Sequence, residues 1–186
     1  ILTRSLILFG QGAIRCHPYV LAEMHSAQKG DLKAFDKALW GHVGFTVSNA
    51  ARALIMGLTG SHFVRVPDGV APEMRRYYQQ LTRFSAAFAF LSDISMGTMG
   101  GALKRKEKLS ARLGDILSLM YLATATLKRY ESEGRHSADA PLMHWAIWDC
   151  MFRIQQAFEG VIANFPNKLF AIVLRRVIVF PLGRPY

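Results

Sequence analysis

Ile147, Met151, Ile154, Phe158, Val161 and Phe165 recur at steps of four, three, four, three and four residues. An α-helix turns once in about 3.6 residues, so this spacing lays all of them along one stripe. A strand alternates its side chains and would scatter the same residues over both faces. A stripe of that kind has to be buried against other helices, which is the packing of a helical bundle.

The same period recurs upstream. Leu32, Phe35, Leu39, Val43, Val47, Ala50, Leu54 and Leu58 form a second apolar face, with Asp31 as its N-cap and Gly60 as its stop. A polar, Gly- and Pro-bearing stretch from Ser61 to Pro72 follows, and Pro72-Glu73 suits a first helical turn. Tyr77, Leu81, Phe84, Phe88 and Leu91 continue the pattern to about Met96. After Ser110 it resumes through Leu113, Ile116, Leu117, Met120, Thr124 and Leu127, until the polar run Glu131–Asp139. Ala13–Gln28 reads as a helix that starts or kinks near Pro18. Ala171–Val179 is rich in β-branched residues, but a lone strand has no partner here, so it too reads as helix. The expected fold is all-α, a bundle of about five to six helices.

Composition agrees with a packed core. Apolar residues make up 51% of the 186 and charged residues 19%, which excludes a disordered tail. Cys16 and Cys150 are too few for a disulfide scaffold, and a reducing, cytoplasmic compartment is the natural reading. No apolar run reaches the ~18 residues of a spanning helix. Lys and Arg number 23 against 13 Asp and Glu, a formal charge of +10 that points to an anionic partner. The cations concentrate in Lys104-Arg105-Lys106-Glu107-Lys108 and between Lys168 and Arg184. Charge runs are usually solvated helix faces; the sharper reading is contact with anionic lipid headgroups or phosphates. Nucleic acid is not expected, because the aromatics sit on the apolar faces and do not interleave with the basic residues.

No reaction can be read from spacing. Gly10-Gln11-Gly12 lacks the third glycine and the preceding strand of a dinucleotide fingerprint. The histidines (His17, His25, His42, His62, His136, His144) make no His-x-x-x-His pair, and a di-iron bundle needs Glu-x-x-His on two helices, so no metal is expected. Ser5, Ser110 and Cys150 have no elbow or neighbouring base. Trp40, Trp145 and Trp148 read as core or interface anchors, and His144 as a packing or rim residue one turn from Trp148. Asp149 with Arg153, and Arg112 with Asp115, are expected as surface ion pairs.

Longer stretches carry a resemblance. Ile1-Leu2-Thr3-Arg4-Ser5-Leu6-Ile7-Leu8-Phe9-Gly10-Gln11-Gly12-Ala13-Ile14-Arg15-Cys16-His17-Pro18-Tyr19 closely resembles a segment of the bacterial long-chain acyl-CoA dehydrogenases, the fatty-acid β-oxidation enzymes with an extra C-terminal helical domain. The similarity returns at Arg76-Tyr77-Tyr78-Gln79, Ser110-Ala111-Arg112-Leu113-Gly114-Asp115, Leu127-Lys128-Arg129-Tyr130, Asn164-Phe165-Pro166-Asn167 and Phe180-Pro181-Leu182-Gly183-Arg184. It covers essentially the whole chain.

The resemblance implies a C-terminal fragment, with residues 1–17 the last helix of the dehydrogenase core and residues 18–186 most of the appended domain. The family's catalytic base, the Glu of a Glu-Gly-x-Asn segment, would fall immediately before Ile1, so no catalytic residue is expected in this chain. Arg4 matches an Arg of the helix that follows the base and would lie near the flavin site at best. The implied parent is an FAD enzyme that oxidises acyl-CoA to trans-2-enoyl-CoA. It would pass electrons to an electron-transfer flavoprotein and act as a homo-oligomer in the cytoplasm, with the periphery of the inner membrane as the further location the basic segments suggest. The alternative from a different class is a non-catalytic docking module for an anionic membrane surface or a partner protein.

Overall fold

The computed structural model describes Gly12 and residues 14–179. Residues 14–16 are helical and end at His17. The helices that follow are α1 (Val20–Lys29), α2 (Leu32–Leu58), α3 (Arg75–Met99), α4 (Glu107–Ser132), α5 (Ala140–Ala163) and α6 (Lys168–Ile178). Short 3₁₀ turns, Pro72–Met74 and Gly100–Arg105, lead into α3 and α4. Among the described residues there is no strand, and Ala171–Val179 is helical up to Ile178.

Local chemistry sets the boundaries. Asp31 caps α2 by accepting from the Ala34 N–H at 3.1 Å. Asn167 caps α6, its Oδ1 accepting from the N–H groups of Leu169 (2.9 Å) and Phe170 (3.3 Å). Gly30 closes α1 in the left-handed region at φ 69°, where a side chain would be strained. At Gly41 the issue is space instead: a Cβ there would overlap the ring of Tyr19, so glycine lets α2 approach the start of α1.

The core forms where α3 meets α4, α5 and α6. The α5 stripe is buried as expected: Ile147, Met151, Ile154 and Val161 are fully enclosed, with Phe158 and Phe165 nearly so. Its main partner is α4, through Leu113, Ile116, Ala123 and Leu127. Phe84 of α3 meets Phe158 with ring centroids 6.0 Å apart. Arg83, buried in α3, donates to the Ile178 carbonyl at 3.3 Å, which places a cation at the negative end of α6. Leu117, Met120 and Thr124 lie at the edge of the α4 stripe, and Thr124 is exposed.

The α2 face is apolar, as its period says, but it is not covered by the described residues. Leu32, Leu39, Val43, Val47, Leu54 and Leu58 are exposed, with Phe35 and Ala50 half-buried. The helix instead packs through Ala38, Asn49, Ala53, Met56 and Gly57, which apart from Met56 are small or polar residues. The tryptophans are likewise not core residues: Trp40, Trp145 and Trp148 are all exposed. One stretch, Pro72–Arg105, meets the length and mean-hydropathy requirement for a spanning helix, although no uninterrupted apolar run marks it. Its apolar residues, among them Met74, Phe84 and Leu91, are spent on the bundle core.

Candidate functional site

The densest grouping of titratable side chains lies where the helix ending at Cys16 turns into α1. His17 precedes Pro18, and its Nδ1 accepts the backbone N–H groups of Tyr19 and Val20, each at 3.2 Å. That is an N-cap with proline at the first helical position, where its missing N–H costs nothing. An Nδ1 that accepts cannot carry the proton, so neutral His17 bears it on Nε2.

Nε2 lies 3.2 Å from Asp93 Oδ1 on α3, in a contact whose attraction is electrostatic rather than an aligned hydrogen bond. Both side chains are buried, at 7% and 3% exposure. The other Asp93 oxygen accepts from the Thr46 hydroxyl of α2 at 2.9 Å. His42, also on α2, has Nδ1 2.8 Å from Glu23 of α1 and Nε2 3.8 Å from Asp93 Oδ1. The two imidazole rings are 4.3 Å apart, with Phe45 edge-on to His17. Burial lowers the pKa of His17 and nearby His42 lowers it further, against the opposing pull of Asp93 and Glu23.

Three donor atoms, one each from His17, His42 and Asp93, fall within 4.8 Å of one another, the spacing of a metal centre. The tautomer argues against that use. With its proton on Nε2, His17 has no lone pair to offer there, which leaves two donors where a stable site wants three or more. The cluster is a proton and charge network that joins three helices and the segment entering them. His42 and Asp93 lie 25 and 76 residues from His17 along the chain, so spacing rules pass over them; the readable trace is His17-Pro18 as a cap followed by a first-turn proline.

The other candidates stay apart. Arg4, Ser5, Gly10 and Gln11 lie outside the described residues. Lys104, Arg105, Lys106 and Lys108 are exposed around the start of α4. His144 Nδ1 is 2.7 Å from the Tyr77 hydroxyl. Burial raises the Cys150 thiol, helped by Asp149, which suits packing and not nucleophilic attack. Ser110 is buried and donates to the Leu103 carbonyl at 2.8 Å. Asp149 and Arg153 pair at 3.4 Å as expected. Arg112 reaches α5 instead of Asp115, donating to the Gly160 carbonyl at 3.3 Å.

The described residues do not by themselves fit FAD. One groove, of about 420 Å³ where the connection joins α4 to α5, is lined by Glu133 and Asp139 beside Arg129. Arg129 is bonded to Glu133 at 2.9 Å, so a diphosphate would meet net negative charge. A second groove of about 360 Å³ lies beside the junction, walled by Cys16, His17, Phe45, Phe88 and Met96, and is apolar.

Against known protein families, residues 14–186 match the family described as acyl-CoA dehydrogenase, C-terminal, bacterial type. No solved structure matches the chain.

Proposed function

We propose that this chain, which belongs to the bacterial-type acyl-CoA dehydrogenase C-terminal family, is the helical accessory region of an FAD-dependent enzyme that desaturates acyl-CoA. The observation that carries this reading is the family match, which runs over nearly the whole chain. In such an enzyme FAD would supply the two-electron oxidation, and a carboxylate base would take the α-proton as acyl-CoA becomes trans-2-enoyl-CoA. Removing so weak an acid requires a polarised carbonyl and a desolvated base. In this reading those groups belong to a dehydrogenase domain that precedes residue 12, and the residues described here supply support. The junction cluster fits that division of labour, because it fixes how the entering helix joins the bundle. An electron-transfer flavoprotein would accept the electrons, and the enzyme would be a cytoplasmic homo-oligomer.

The test is anaerobic mixing of the full-length flavoprotein with a long-chain acyl-CoA. Loss of the oxidised flavin absorbance is the expected result; an unchanged spectrum with saturating substrate would overturn the reading.

One feature favours a second role beside the first. Leu169, Ile172 and Val173 are exposed on α6, flanked by Lys168, Arg175 and Arg176. An apolar strip bordered by cations is how a helix lies on an anionic bilayer, each cation contributing on the order of 1 kcal/mol. Co-sedimentation with phosphatidylglycerol vesicles should be strong at low salt and fall as salt screens the charges. No binding at low salt would remove this role.

A further inference from the structure

The exposed face of α2 has no partner among the described residues, yet it is a long apolar surface. From Leu39 to Leu58 it runs about 30 Å. Trp40, Val43, Val47 and Leu58 are 71%, 44%, 63% and 51% exposed along it. Between Ala38 and Ala51 the helix carries no Lys, Arg, Asp or Glu, in a chain whose net charge is +10.

Charge narrows what can sit there. Anionic lipid or an acidic partner would be met by cations, and this face has none over that stretch. An apolar helix face free of Lys, Arg, Asp and Glu over that stretch has the composition of a permanent interface rather than of an encounter surface.

Position narrows it further. Beside the face, Leu39, Val43, Val47, Ile94 and Gly97 line a groove of about 260 Å³ whose floor includes His42 and Asp93. Those two residues also belong to the junction cluster, and Asp93 lies 3.2 Å from His17, where the incoming helix ends. The segment that enters at His17 therefore joins the bundle one side chain away from the groove. A domain attached through that segment meets the face at a far higher effective concentration than any free partner.

We infer that the Leu39–Leu58 face of α2 is the docking surface for the dehydrogenase domain of the same polypeptide, an apolar protein surface seated along α2 and in the groove it makes with α3. The inference rests on the dehydrogenase reading above. The junction cluster then acts as the corner brace of this contact, setting the angle at which the two domains meet.

The experiment uses the full-length flavoenzyme carrying Val47→Cys, or Lys128→Cys as a solvent-facing reference on α4. Maleimide labelling at each site is read by peptide mass spectrometry, and each native rate is divided by the rate at the same site in urea. The thiol introduced at position 47 should react about tenfold more slowly than the reference, or slower still, as a group in a dry interface core does. Leu54→Cys repeats the measurement should Val47→Cys lower the yield of folded enzyme. Equal normalised rates at 47 and 128 would overturn the inference. So would protection that disappears on dilution, the mark of a second copy, or protection that needs vesicles, the mark of a membrane. Flavin bleaching by acyl-CoA is scored on the same preparations, so a failed dehydrogenase reading and a failed docking surface are told apart.

Discussion

His17 does two things that depend on a single proton. Its Nδ1 lone pair caps α1, and its Nε2–H faces Asp93. Protonating Nδ1 would turn a hydrogen toward two backbone donors and abolish the cap. The pKa is held below the ordinary 6.5, burial being the largest cause. Folding therefore favours the neutral ring: its stabilisation is complete above pH ~6.5 and is lost as pH falls through the lowered value. His17→Asn retains a capping side chain but cannot titrate, so thermal unfolding between pH 7.5 and 5.5 should show a flatter loss of Tm than wild type. His17→Ala should cost about 0.5–2 kcal/mol at neutral pH through the lost cap alone. An asparagine variant with the wild-type pH slope would contradict the assignment of the proton. Little of this was legible beforehand. His17-Pro18 announces a turn, but its partners come from helices whose packing no local pattern specifies.

Among the helices, α5 and α2 show when periodicity reports burial. Both carry apolar residues at steps of three and four. On α5 the stripe is buried because α4 returns antiparallel across a short connection and covers it. On α2 the buried side is Ala38, Asn49, Ala53, Met56 and Gly57, all but Met56 invisible to a count of large apolar side chains. A period thus says which face is apolar; whether this chain covers it depends on what else is present. Phe158→Ala should cost about 3–5 kcal/mol by opening a cavity, whereas Val47→Ala, measured on residues 1–186 by themselves, should change stability by less than ~0.5 kcal/mol. Urea denaturation of the two variants checks the contrast, and a large loss for Val47→Ala would mean that the face is covered within this chain. The trend at α6 runs the other way: β-branched residues suggest a strand, yet Asn167 caps a helix there and Leu174 and Ile178 bury into the bundle.

At the scale of the whole molecule, the helical class follows from periodicity, but the enzyme family does not. Composition alone reaches only a basic helical bundle. The family becomes legible through runs such as Ser110–Asp115 and Asn164–Asn167, whose roles here are structural. Ser110 holds the Leu103 carbonyl, Arg112 bridges α4 to α5, and Asn167 starts α6. A scaffold can carry a family's signature without its chemistry, because close packing and capping restrict residue identity as tightly as catalysis does. The central claim, that this bundle supports a dehydrogenase whose base lies outside it, is tested most directly by sequencing the coding region immediately upstream of Ile1. An in-frame Glu-Gly-x-Asn segment adjoining Ile1 is the predicted result. A start codon or an unrelated sequence in that place would contradict the claim and leave a helical binding module without an attached enzyme.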